Sequence, residues 1–158
     1  MNRKVTIIGA GNVGATIAYT LSLEDIASDI VLIDINKDKA EGEVMDIVQG
    51  TSFREPISVI AGDYPDAVDS DIVIITSGIG RKPGQSRIDL AQTNVNILKD
   101  ITPKIVSVAP NALYVIVSNP VDIMTYVLPR SPVFLNTRSS ARAPFWTPPD
   151  CALIWPIT

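Results

Sequence analysis

The sequence predicts an α/β protein built on a doubly wound parallel sheet. Three features carry that expectation: strand-length runs that are apolar throughout, helical patterns alternating with them, and a glycine-rich turn between the first run and the first helix. Strands apolar on both faces must be covered on both faces, and the intervening helices supply the cover. With 158 residues the chain is long enough for one domain with its own core.

The elements follow in order. Residues 4–8 form an apolar run ending at Gly9, read as a buried strand. Residues 11–27 carry Val13, Ile17 and Leu21 at helical spacing. A second strand, residues 30–33, closes at Asp34, and residues 37–48 read as a helix with Ala40, Val44 and Ile47 on one face. The third strand is predicted at 57–60 and the fourth at 71–76, the latter rich in β-branched residues. A helix over 87–101 has Leu90, Val95, Leu98 and Ile101 as its expected buried set. Residues 103–108 read as a separate short helix, and 113–117 as the fifth strand.

Composition changes after Leu128. Beyond it lie both tryptophans, the single cysteine Cys151, six of the 12 prolines and only one acid, Asp150. Repeated prolines interrupt helices and central strands, so residues 129–158 are expected to be an irregular tail after a five-strand, incomplete sheet. The acidic balance, net charge −4, lacks the basic patch that nucleic-acid binding requires. No signal-peptide pattern and no run of ~20 apolar residues is present, so a cytoplasmic protein with no membrane partner is expected. One cysteine excludes an internal disulfide framework, no metal site is expected, and histidine is absent.

Gly9-Ala10-Gly11-Asn12-Val13-Gly14 fits G-x-G-x-x-G in the right setting, after a strand and opening a helix. Gly9 permits the tight turn, Gly11 lets the backbone approach a pyrophosphate, and Gly14 allows close packing. The helix N-terminus offers unpaired N–H groups and a positive dipole end to the phosphates. Asp34, twenty residues after Gly14, would accept hydrogen bonds from ribose hydroxyls and repel a 2′-phosphate, favouring NAD over NADP. This is the Rossmann pattern.

With that turn placed, residues 1–128 resemble the N-terminal half of the lactate/malate dehydrogenases. The matching stretches are TIIGAGNVG (6–14), 30–34, GDY (62–64), 75–78, RKPGQSRIDL (81–90) and SNPVD (118–122). The resemblance implies a cytoplasmic homo-oligomer, tetramer or dimer, interconverting a 2-oxoacid and its L-2-hydroxyacid with NAD. It implies that Val13, Asp34, Lys39 and Tyr64 meet the adenosine side, that Gly78 and Ile79 pass the cofactor, and that Val117, Ser118 and Asn119 border the nicotinamide. Arg87 corresponds to the arginine that polarises the substrate carbonyl. Arg81, Asn119 and Asp122 fall with Arg87 on the substrate side, and residues 80–85 match a lid that excludes water. Each has a plainer reading: Lys39 and Tyr64 as surface side chains, Asn119-Pro120 as a strand-ending turn, Arg87 as a helix-start cation.

Arg81 argues for malate, because a guanidinium pairs bidentately with a second carboxylate. The stretches Met45-Asp46-Ile47, Gly50-Thr51-Ser52-Phe53 and Gly62-Asp63-Tyr64 resemble bacterial lactate dehydrogenases more closely, so lactate is the preferred reading. A non-catalytic NAD-binding module is the rival from another class. The family's acid/base histidine, its paired aspartate and a carboxylate-binding arginine all lie in the second half, and this chain has no histidine.

Back-translation of the tail suggests why. When the third base of each codon is read with the first two of the next, Phe145-Trp146 yields only leucine, Trp146-Thr147 only aspartate and Asp150-Cys151 only leucine. Residues 139–145 permit Ile-Gly-Ser-Gly-Thr-Val and 147–150 permit Thr-Ala-Arg, which resembles the family sequence in a neighbouring frame. Residues 129–158 are therefore expected to be out of frame, the substrate domain absent, and strand five left as an exposed apolar edge. Sequencing the coding DNA across codons 120–158 is expected to find one base lost or two gained near codons 127–131. An intact frame with no dehydrogenase half in any frame would overturn this reading.

Overall fold

The computed structural model describes residues 3–50, 57–80, 83–130 and 152–154. Arg81, residues 51–53 and most of the tail therefore lie outside the described residues. The chain runs β1 (Lys4–Ile8), α1 (Asn12–Leu23), β2 (Asp29–Ile33), α2 (Lys37–Gly50), β3 (Ser58–Ala61), β4 (Ile72–Ile75), α3 (Arg87–Val108), β5 (Leu113–Ile116), α4 (Val121–Val127) and β6 (Ala152–Ile154). Short 3-10 turns occupy Tyr64–Ala67 and Leu128–Arg130.

The sheet order is β3-β2-β1-β4-β5-β6, with the first five strands parallel. The chain steps outward from β1 to β3, then crosses over β1 to β4. The two sheet faces hold separate cores. Val5, Ile7, Ile30, Leu32 and Val59 pack with Ala18 of α1 and with Ala40 and Ile47 of α2. Ile8, Val31, Ile33, Val73, Ile75, Tyr114 and Ile116 pack with α3, α4 and Leu128. This is the doubly wound α/β architecture expected from the uniformly apolar strands.

The helices differ from expectation in detail. The buried residues of α1 are small, Gly14, Ala15, Ala18 and Ser22, while Ile17 and Leu21 are only partly buried. That small-residue face lets the helix sit close to the sheet. The two segments read as a helix over 87–101 and another over 103–108 are one helix that runs through Pro103. An internal proline costs ~3 kcal/mol. Ile105 and Val106 beyond it are almost wholly buried, and each such side chain contributes ~1.5–3 kcal/mol, so continuation wins. The start of α3 is fixed by a capping box: Ser86 Oγ accepts from the Asp89 N–H at 3.1 Å, and Asp89 accepts from the Ser86 N–H.

The described chain ends with one added helix and one departure from the expected bare sheet edge. The apolar run after Pro120 folds into α4, and the Leu128–Arg130 turn seats a fully buried Leu128. The β5 edge is not bare, because β6 pairs with it antiparallel, Tyr114 opposite Ile154 and Ile116 opposite Ala152. An unpaired strand edge is a template for any extended apolar segment, and the tail supplies one. Among the described residues no helix is long and apolar enough to cross a membrane.

Tyr114 joins β5 to the end of α3: its ring is fully buried and its hydroxyl donates to the Ala109 carbonyl at 2.8 Å. Burial pushes its phenol far above the ordinary range. Tyr114→Phe keeps the ring and removes the donor, so urea unfolding should show a loss of about 1 kcal/mol; an unchanged midpoint would contradict this role.

Candidate functional site

Beyond the carboxyl ends of β1 and β4, consecutive connections turn to opposite faces of the sheet and leave a cleft of about 800 Å³. Its head is the turn after β1. Gly9 has φ +115°, and a Cβ there would lie 2.7 Å from Thr76 Oγ1 and 2.9 Å from the Ser77 nitrogen. A Cβ on Gly14 would lie 1.8 Å from the Gly9 carbonyl oxygen, so only glycine lets α1 start this close beneath the turn. Gly11 is different: a Cβ there would meet nothing within 4 Å. It precedes the first residue of α1 and lines the cleft. The space beside it, in front of the helix N-terminus, is where a phosphate would sit.

Asp34 closes β2 and accepts two backbone hydrogen bonds, from the Ala10 N–H at 2.6 Å and the Asn36 N–H at 2.9 Å. One carboxylate thus ties the glycine turn to the β2–α2 connection. Farther along the wall, Lys37 donates to Asp63, and Lys104 pairs with Asp100 at 2.6 Å. The Lys104 ammonium also lies 5.7 Å from the centre of the Tyr64 ring. Burial raises the Tyr64 phenol above its ordinary 10.0, opposed by Lys104 and reinforced by Asp100. Apolar Ile35, Ile79, Ile97 and Ile101 complete a slot that is polar at one end and greasy along its sides.

The residues expected on the cofactor side fall into three groups. Gly9, Gly11, Asp34, Lys39, Tyr64, Gly78 and Ile79 all line this cleft. Gly14 lies under the turn, and Val13 projects from the first turn of α1, 53% exposed and outside the lining. Val117, Ser118 and Asn119 follow β5 at the neighbouring strand end. Ser118 is buried, and its hydroxyl lies 2.6 Å from the Ser77 carbonyl, to which it donates. On the substrate side, Arg87 stands exposed at the first position of α3 and Asp122 exposed in the first turn of α4. Neither borders the cleft. Arg81 lies outside the described residues.

Sequence reasoning missed a row of side chains that stitch the strand-end loops together. Thr76 Oγ1 donates toward the carbonyls of Ile8 and Gly9, and Ser77 Oγ donates to Ile8. Asn94 accepts from the Ile79 N–H at 2.9 Å and donates to the Asn119 carbonyl at 2.7 Å. A signal for Asn94 was present: it interrupts the apolar stripe of α3 four residues from both Leu90 and Leu98.

The description "lactate/malate dehydrogenase, NAD binding domain" matches residues 3–140. The chain belongs to the lactate/malate dehydrogenase family. Its cofactor is NAD, and the glycine turn, the open space at Gly11 and Asp34 fit that dinucleotide. Across 124 residues it is 57% identical to an L-lactate dehydrogenase of Thermoanaerobacter sp. (strain X514), covering 78% of this chain and 40% of that protein. Among solved structures, the minor L-lactate dehydrogenase of Enterococcus mundtii superposes with a TM-score of 0.79 at 41% identity, over 82% of this chain and 42% of that one. A malate dehydrogenase of Archaeoglobus fulgidus in complex with NADH gives 0.76 at 38% identity, over 89% and 46%. The chain thus spans about 40% of the length of the curated relatives it matches.

Gly11 and Gly14 separate ligand space from packing space within a single turn. Gly14→Ala should lower stability by at least about 3 kcal/mol, because backbone and not a flexible side chain must move. Gly11→Ala should leave the thermal midpoint nearly unchanged and weaken NADH binding. Equal destabilisation by both, read by calorimetry, would refute the distinction.

Proposed function

We propose that residues 1–128 are the dinucleotide-binding half of an NAD-dependent L-lactate dehydrogenase, and that the 158-residue polypeptide alone does not turn over substrate. The carrying observation is the 57% identity to an L-lactate dehydrogenase across 124 residues, in a chain whose family match, residues 3–140, includes the glycine turn and Asp34. When bound, NAD supplies or takes up the hydride that interconverts pyruvate and lactate. The α1 N-terminus and the bare backbone at Gly11 hold the pyrophosphate. A carboxylate offers about four lone-pair sites. Asp34 uses two on backbone amides and keeps the others for the ribose hydroxyls, while its charge repels a 2′-phosphate.

Lys39, Tyr64 and Val13 serve the adenosine side, and Gly78, Ile79, Val117, Ser118 and Asn119 the nicotinamide side. Arg87 polarises the substrate carbonyl, with Arg81, Asn119 and Asp122 on the substrate's other contacts. Moving the hydroxyl proton needs a group that titrates near neutrality, and the chain has no histidine. Residues 129–158 are read as an out-of-frame tail, and the full-length enzyme as a cytoplasmic homo-oligomer.

A malate dehydrogenase is the second reading, favoured by Arg81 alone. A non-catalytic NAD-binding module is the third reading, from another class. The test compares the 158-residue chain with a frame-restored, full-length enzyme on pyruvate and oxaloacetate. The expected result is no turnover by the short chain and pyruvate preference in the restored enzyme. A strong oxaloacetate preference would sink the lactate reading, and turnover by the short chain would sink the inactivity.

A further inference from the structure

We infer that Asn94 is a positioning residue for the nicotinamide end of the cofactor, an inference that rests on the NAD-binding reading above. The β4–β5 ladder stops at Ile75 and Ile116, with two further bonds to the Ile75 carbonyl, from the Val117 and Ser118 N–H groups. Past that point the two loops are joined by side chains: Ser118 donates to the Ser77 carbonyl near the strand ends, and the link farther out comes from α3. Asn94 reaches across from α3. Its Oδ1 accepts from the Ile79 N–H at 2.9 Å, and its Nδ2 donates to the Asn119 carbonyl at 2.7 Å and the Ile79 carbonyl at 3.3 Å. Both of its amide protons are therefore directed at carbonyls of two different loops. The side chain is 3% exposed, so it is a fixed strut rather than a solvated amide. Gly78 packs against it: a Cβ there would lie 3.4 Å from the Cγ, Oδ1 and Nδ2 atoms of the amide, in van der Waals contact.

The placement along the cofactor follows from the fold. Asp34, at the end of β2, holds the adenosine ribose, and the glycine turn after β1 holds the pyrophosphate. The dinucleotide crosses the switch point, so its other half lies over the ends of β4 and β5, where Ile79 and Asn119 stand. An amide that sets the backbone of both residues sets that half of the site and leaves the adenosine half alone.

Asn94→Asp is nearly isosteric and separates the two links. A carboxylate still accepts from the Ile79 N–H, but it has no proton for the Asn119 carbonyl and repels it. Titrations of the 158-residue chain with ADP-ribose and NADH test the idea. The variant is expected to bind ADP-ribose within about twofold of wild type, to bind NADH about tenfold more weakly, and to lose the fluorescence enhancement of bound nicotinamide. Equal weakening of both ligands would mean a merely structural role and overturn the inference, as would unchanged NADH binding. If the variant does not fold, amide exchange in the wild-type chain decides. NADH should slow exchange at the Ile79 N–H beyond what ADP-ribose does, and identical protection by the two ligands would overturn the proposal. A wild-type chain that binds neither ligand would instead overturn the NAD-binding reading and this inference with it.

Discussion

The contact between the Gly9 carbonyl and α1 at Gly14 is the constraint from which the rest of the site follows. Because no Cβ intervenes, the helix begins directly beneath the turn. Its N-terminal amides then face the space beyond β1 rather than a neighbouring side chain. Thr76 lies against the same turn from β4, so the turn is gripped from below by a helix and from the side by a strand. The cleft at the switch point is what remains once that packing is complete.

Asp34 links this local arrangement to the wider sheet. Its two backbone hydrogen bonds connect the turn after β1 to the connection after β2. The carboxylate is held in one orientation before any ligand arrives, which lowers the entropic cost of ordering it on binding. Charge-assisted bonds of this kind are roughly twice as strong as neutral ones. The residue proposed to select the ribose is therefore also part of the scaffold.

Most of the fold was legible in the sequence because its strands are apolar throughout and its first turn needs glycine at fixed positions. The parts that were missed have physical reasons. Pro103 looked like a break because a local rule was applied without the weight of Ile105 and Val106 packing on the sheet. The last helix, α4, is only seven residues long and gives little periodicity to read. The pairing of β6 depends on a free strand edge distant in sequence, which no local pattern reports. In the site, the glycines and Asp34 were legible because chemistry fixes both residue type and spacing. Thr76, Ser77 and the inward bond of Ser118 were not singled out, because their partners are backbone groups of remote loops, which carry no sequence signature; Asn94 left a polar break in the stripe of α3, but nothing local names its partners.

The sheet divides the interior into two cores built from different side chains, alternate residues of the same strands facing opposite ways. Ile30 and Leu32 belong to one side, Val31 and Ile33 to the other. Energetic coupling fades between residues that share no neighbours. The two faces are thus free to vary separately: repacking beneath α1 and α2 leaves the α3 and α4 side unperturbed, and defects drawn one from each face sum. Sequence change can accumulate as two independent ledgers joined only by the backbone of the strands between them.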